Sequence, residues 1–288
     1  MPHDTVAPLE KPSPTDGSDV SREEARPSDE RTTGFSEHPR GRPHLAWVTG
    51  ASSGIGAALA LQLAEVGWRV VASARKAEAL QQLSARHPRI HAQPLDVTDL
   101  ASVREAVAAI ERQHGPIDLA VLNAGDYRPM PLDEFDVQLF ERLMRVNYMG
   151  VVHGLDALRG PMCQRGRGQI LITASVAGYR GLPLAAPYGA SKAALINMAE
   201  SLHPEFLARG VRLRVINPGF VKSPLTALNH FTMPGLLEPE EAARAILRGI
   251  ERKGFEISFP AGFVFVMKRL RNLPYALFFP LIRRVTGR

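Results

Sequence analysis

The chain has 288 residues, 45% hydrophobic and 22% charged, with a formal net charge of +6 and one cysteine, Cys163. That length fits one large globular domain or two small ones, and a single cysteine excludes an intramolecular disulfide framework and a cysteine-based zinc site, so no metal is expected. Residues 1–43 hold six basic and nine acidic side chains, whereas residues 257–288 hold six basic and none acidic; a nucleic-acid binder would instead carry a basic stripe interleaved with aromatics across its fold.

No apolar run reaches the ~18 residues of a membrane-spanning helix. No hydrophobic segment follows a basic start, so no secretory signal is expected and the reading is cytoplasmic. Residues 1–43 are rich in Pro, Ser, Asp, Glu and Arg. They cannot bury enough apolar surface to offset the entropy of ordering, and a disordered leader is expected there.

From residue 44 the pattern alternates. "HLAWVT" (44–49) is a short apolar run, and "GIGAALALQLAEVG" (54–67) has helical spacing ending at a glycine. "WRVVASA" (68–74) is the next strand, with a helix from about Lys76. "IHAQPLDV" (90–97) is a weaker strand, followed by an amphipathic helix over 99–113. "DLAVLNAG" (118–125) is a fourth strand and 132–159 a long helical region. The strand "GQILITAS" (168–175), a helix containing "YGASKAAL" (188–195) and the strand "VRLRVINPG" (211–219) come next. A helix from Pro239, a residue suited to a first helical position, to Lys253 and the strand "FEISF" (255–259) close the series. Strands alternating with helices predict right-handed βαβ units: an α/β fold whose one parallel sheet is doubly wound, covered on both faces.

The first strand runs into "TGASSGIG" (49–56) and then a helix. Gly50, Gly54 and Gly56, with Ser52, Ser53 and Ile55 between them, leave backbone amides open at a helix start, where the dipole favours an anion. Strand, glycines and helix within the first βαβ unit form the context of a dinucleotide site. The second strand ends "VVASARK", with no acid until Glu78. A carboxylate there would serve the NAD ribose; a guanidinium suits a 2′-phosphate, so Arg75 points to NADP over NAD.

Of five tyrosines, only Tyr188 has a lysine, Lys192, four residues on. On a helix of 3.6 residues per turn the two share one face. A free phenol titrates near ~10. A cation about 5 Å away, at an effective dielectric of about 20, favours the phenolate by roughly 3 kcal/mol, on the order of two pK units. That spacing predicts a tyrosine lowered toward a working acid/base range.

Five motifs in order complete the pattern: "TGASSGIG" at 49–56, "NAG" at 123–125, "VNYMG" at 146–150, "ITAS" ending at Ser175 with "YGASK" thirteen residues on, and "NPGFVKSP" at 217–224. With these, residues 44–256 resemble the short-chain dehydrogenase/reductase family in its single-domain Rossmann-fold form. The resemblance implies a tetrad. Tyr188 would exchange the substrate proton, Lys192 would also hold the nicotinamide-ribose hydroxyls, and Ser175 would position the carbonyl oxygen. Asn147 would kink its helix and hold a water linking Lys192 to solvent. It further implies that Asp96 and Val97 contact adenine, that Asn123 supports the central sheet, and that Asn123, Ala124 and Gly125 border the cofactor. Pro218, Gly219 and Val221 would receive the nicotinamide, and Ser223 would offer a hydroxyl to the pyrophosphate. Leu122 stands where the family usually has asparagine, Ser223 where threonine is frequent, and Ser52 and Ser53 where NADP-using relatives often carry a basic residue. A homodimer or homotetramer is likewise implied.

The loops "GYRGLPLAAP" and "FVKSPLTALNHFTMPGLL" that flank the site are largely apolar. They predict an apolar carbonyl or secondary alcohol as substrate. Residues 257–288 carry two apolar clusters separated and followed by basic residues. Two expectations stand for this tail: an anchor on the anionic inner face of a membrane, or packing over the active site or a neighbouring subunit. A regulatory or scaffold protein that binds NADP without chemistry is the alternative to an enzyme; it makes no demand for Tyr188 and Lys192 together.

Overall fold

The computed structural model describes residues 44–229 and 231–287. The leader expected at 1–43 lies outside the described residues. Seven parallel strands run β1 (Leu45–Thr49), β2 (Arg69–Ala74), β3 (Ile90–Pro94), β4 (Leu119–Leu122), β5 (Gly168–Thr173), β6 (Val211–Pro218) and β7 (Glu256–Phe259). Their spatial order is β3-β2-β1-β4-β5-β6-β7. Val48 faces Ala72 of β2 on one side and Val121 of β4 on the other, and Ile172 faces Val215 across β5 and β6. The central strands are largely apolar because both faces are covered; every residue of β1 is buried.

Two cores fill the two faces. On one, helices α1 (Gly54–Glu65), α2 (Ala77–Ala85) and a later helix, Pro239–Glu251, bring Leu59, Leu80 and Ile246 against Val48, Val70 and Ile216. On the other, α3 (Leu100–His114) and the later helices Gly150–Gln164 and Ala186–Leu207 bring Val103, Leu158 and Leu195 against Trp47, Ile170 and Val215. Buried Trp47 meets its indole N–H requirement by donating to Ser73 Oγ at 3.0 Å. Strand order reverses between β2-β1 and β4, so the carboxyl ends of β1 and β4 open a crevice at the point where α/β folds bind ligands.

The region expected as one long helix over 132–159 is divided. A 3-10 turn at Leu132–Glu134 precedes α4 (Val137–Leu143), whose first amides are met by the Asp136 carboxylate bonding Gln138 N at 2.9 Å. Residues Met144–Met149 then form a π-helical segment before α5 (Gly150–Gln164). Periodicity gave no sign of this widened turn, which is built around Asn147. Helices α6 (Ala186–Leu207) and α7 (Pro239–Glu251) follow, and residues 257–288 are largely ordered into α8 (Ala261–Arg271) and α9 (Tyr275–Thr286). β7 spans both sides of the 256/257 division, so the sheet itself extends into the tail.

Candidate active site

The glycine turn joins β1 to α1. Gly50 and Gly54 have φ of +67° and +55°, which only glycine adopts without strain. A Cβ at Gly50 would also lie 2.8 Å from Ala124 Cα, so the turn and the 123–125 segment are in backbone contact. Thr49 fastens them: its Oγ1 accepts from Asn123 N at 2.9 Å and from Ala124 N at 3.1 Å. Asn123 Nδ2 donates back to Thr49 O at 3.2 Å. Thr49 is a site residue that motif reading passed over, although it opens the quoted glycine motif.

The start of α1 is suited to an anion. Ser53 at its N-cap makes no side-chain capping bond, and the first turn carries no acid. By contrast α3 is capped by the Asp99 carboxylate, bonded to Ala101 N at 3.0 Å. The open amides and the dipole of α1 therefore face the crevice, where phosphate chemistry fits. Ser52 and Ile55 are half-buried beside them. Ser223, from the segment after β6, sits against Gly54: a Cβ on that glycine would lie 3.4 Å from Ser223 Cβ. At the outer end of β2 and β3, exposed Arg75 and exposed Asp96 line one depression of about 560 Å³. Asp96 is turned in by its own neighbour, accepting from Thr98 N at 2.9 Å. Val97 holds Gly150 at the start of α5, where a Cβ would come within 2.7 Å of Val97 Cγ2.

Ser175, Tyr188, Lys192 and Asn147 come together at the carboxyl ends of β4 and β5. Ser175 follows β5 and caps a 3-10 turn, its Oγ accepting from Ala177 N at 3.1 Å. Tyr188 lies in the first turn of α6, entered through Pro187, and Lys192 stands one turn later with 3% of its surface exposed. Lys192 Nζ lies 5.6 Å from the centre of the Tyr188 ring and donates to Thr173 O at 2.8 Å. Asn147 is fully buried. Its Oδ1 accepts from Asp126 N at 2.7 Å, and its Nδ2 donates to Asp126 O and to Ser191 Oγ, both at 3.0 Å. Ser191 in turn donates to Tyr188 O at 2.7 Å. The side chain of Asn147 thus ties the 123–126 segment to α6, and its bonds run to Asp126 and Ser191 rather than to Lys192. Gly125 keeps the space between them clear: a Cβ there would lie 3.3 Å from Asn147 Oδ1 and 3.6 Å from Lys192 Nζ.

The electrostatic expectation is corrected. Burial pushes the Tyr188 phenol up to about 12; a hydrogen bond from Ser175 opposes this, and nearby Tyr127 adds to it. Burial alone draws the Lys192 ammonium down to about 8. Sequence spacing counts the attraction between the two groups but not the water each loses, and desolvation is the leading cause of both shifts. Tyr127, also unforeseen, sets its ring edge-on to Tyr188 at 5.0 Å between centres, and its hydroxyl donates to Asn229 Oδ1 at 2.7 Å. Behind Tyr188 lie Met130, Leu139 and Leu143, with half-buried Phe140. Leu184, four residues before Tyr188, is held at φ +65° while its carbonyl accepts from Met130 N at 2.9 Å. Strain of this kind costs about 1–3 kcal/mol and clusters at functional sites.

The β6 end completes the crevice. Gly219 N donates to Phe259 O at 2.7 Å, and a Cβ at Gly219 would press within 2.9 Å of Phe263 Cδ1. Pro218 ends β6, and Val221 is buried in an isolated bridge to Leu237.

The short chain dehydrogenase family matches residues 44–231. The chain belongs to this family. An uncharacterized oxidoreductase of Myxococcus xanthus is 38% identical to it over 244 residues, 83% of this chain and 96% of the relative. A short chain dehydrogenase from Burkholderia cenocepacia, solved in complex with NADP, superposes with a TM-score of 0.73 at 30% identity, covering 83% of this chain and 98% of that one. A second, from Burkholderia phymatum in complex with NAD, gives 0.71 at 25% identity, covering 78% and 92%. The short-chain dehydrogenase described here is thus an oxidoreductase that uses a nicotinamide dinucleotide on a small-molecule substrate.

Proposed function

We propose that this short-chain dehydrogenase reduces an apolar carbonyl compound to a secondary alcohol with NADPH, Tyr188 giving the proton. The observation that carries the reading is the placement of the half-buried Tyr188 phenol, with Lys192 Nζ 5.6 Å from its ring centre and the Ser175 hydroxyl bonding to it. When bound, the cofactor supplies the hydride. Gly50, Ser52, Ser53, Gly54, Ile55, Gly56 and Ser223 would hold its pyrophosphate, and Asp96 and Val97 its adenine. Asn123, Ala124, Gly125, Pro218, Gly219 and Val221 would border the nicotinamide, whose ribose hydroxyls Lys192 would bind. Arg75, exposed and with no acid before Glu78, would meet a 2′-phosphate and so favour NADP.

The chain's own residues divide the chemistry. The Ser175 hydroxyl would hold the carbonyl oxygen, with Tyr188 Oη within its reach. As charge develops on that oxygen, Tyr188 would release its proton and become phenolate. The Lys192 ammonium stabilises this phenolate in a site with little water, which is where a fixed charge acts most strongly. Tyr127, Met130, Leu139 and Phe140 around Tyr188 give no charged partner to a polar substrate, which favours an apolar one.

The pH profile tests this reading. Tyr188 stays protonated well above neutrality, whereas Lys192 loses its charge as pH rises through about 8. Reductive kcat/KM with NADPH and an apolar ketone is therefore expected to be level below pH 8 and to fall above it. Lys192→Met should be slower by roughly 10²-fold and lack that fall. A wild-type profile that stays flat or rises through the same range would refute the assignment.

A further inference from the structure

Helix α9 carries two neighbouring apolar rows, roughly 100° apart around its axis. Phe278 and half-buried Ile282 face the domain, while Leu277, Leu281 and Val285 form an outward row, Leu277 59% and Val285 73% exposed. Helix α8 likewise buries Val264 and Met267 and leaves Phe265 and Val266 exposed. An apolar face wider than the strip that packs on the domain, left uncovered on its outer row, marks a contact surface. Among the basic residues here, Lys268 donates to Glu256. Arg269, Arg271, Arg283 and Arg284 form no ion pair among the described residues, and residues 257–288 contain no acid. No helix of the described residues is long and apolar enough to cross a membrane.

This face is joined to both loops that flank Tyr188. The Arg180 guanidinium, in the loop before Tyr188, lies 4.3 Å from the Tyr275 ring centre and 4.4 Å from that of Phe278. It also donates to Arg271 O at 3.0 Å and to Leu273 O at 3.2 Å, clamping the turn between α8 and α9. In the loop after β6, Phe220 packs on Phe263 of α8 at 5.4 Å and on exposed Phe231 at 5.8 Å. The two tail helices are thus packed directly against the loops that border Tyr188.

We propose that the outward face of α8 and α9 rests on an anionic lipid bilayer and that the carbonyl substrate is a bilayer-borne, long-chain compound entering from that side. The substrate half rests on the function proposed above. A second copy of the chain is a poor occupant, because a two-fold contact would set the same arginines against one another. Anionic headgroups complement them, and the apolar rows reach the acyl boundary as interfacial helices do.

Flotation of the full chain with vesicles tests the lipid contact. Binding is expected to vesicles of phosphatidylcholine with phosphatidylglycerol, to weaken with salt, and to be absent with phosphatidylcholine alone. Arg283→Gln/Arg284→Gln should lower the affinity about thirtyfold, and Leu277→Glu/Leu281→Glu should abolish it. Both variants should reduce dissolved 2-butanone as wild type does, yet lose at least about tenfold in rate on 2-pentadecanone carried in the anionic vesicles. Equal binding to both vesicle types, or none to either, overturns the proposal. So does a wild-type dimer that Leu277→Glu/Leu281→Glu converts to monomer, which would put a second copy on this face. Vesicle binding as expected with neither ketone reduced would overturn the proposed function and the substrate half while leaving the lipid contact standing.

Discussion

Replacing Tyr188 with phenylalanine is expected to lower kcat for carbonyl reduction by about 10²–10⁴-fold, the range a positioned proton donor supplies. The ring remains, so the packing against Met130, Leu139 and Tyr127 should persist and the fold should be kept. Removing a hydroxyl whose ionisation the surroundings oppose also leaves no charge stranded. Affinity for NADPH, read by quenching of protein fluorescence, should change little. The discriminating pattern is a large loss in kcat with thermal stability and cofactor binding preserved. A variant that loses binding and stability together would make Tyr188 a structural residue.

Arg75→Glu should invert cofactor preference. A charge-assisted bond from guanidinium to phosphate contributes about 1.5–3 kcal/mol. The introduced carboxylate would repel the same phosphate and accept from a ribose hydroxyl. The ratio of kcat/KM for NADPH to that for NADH is expected to drop about 10²-fold, through KM more than kcat, because Arg75 stands at the ends of β2 and β3, away from Tyr188. Lys76 is exposed beside it, and Arg75→Glu/Lys76→Ala should deepen the change. An unaltered ratio would remove Arg75 from cofactor selection.

Much of this molecule was legible because its signals are local. Alternating apolar strands and helices are recorded every few residues, and they return the seven parallel strands in the expected classes. The glycine turn was readable because positive φ at Gly50 and Gly54 is a demand that the residue type itself declares. Tyr188 and Lys192 share a face because of helical geometry alone.

What stayed hidden depends on contacts between distant segments. The widened turn at Met144–Met149 leaves no trace in periodicity, although the family resemblance implied a kink at Asn147, which is tied to Asp126 and Ser191 from other parts of the chain. The balance at Tyr188 was misjudged because a four-residue spacing states how near the cation is, not how dry the site is. The apolar packing that desolvates Tyr188 comes from Met130, Leu139, Leu143 and Tyr127, all more than 40 positions away. Thr173, whose carbonyl holds the Lys192 ammonium, and Thr49, whose hydroxyl joins the glycine turn to Asn123, stand inside quoted motifs, but their partners lie in distant parts of the chain. Residues 257–288 could be seen as apolar and basic, but their division into inward Phe278 and outward Leu277 needed the helix in place.

Isotope transfer tests the proposed chemistry most directly. The enzyme would be given an apolar ketone and NADPH deuterated at C4 on one face or the other, and the alcohol examined by mass spectrometry. One of the two labelled forms should deliver a single deuterium to the carbinol carbon, with the hydroxyl proton coming from solvent. An alcohol whose carbinol hydrogen derives from water with both labels, or no alcohol at all from a correctly folded enzyme, would contradict it.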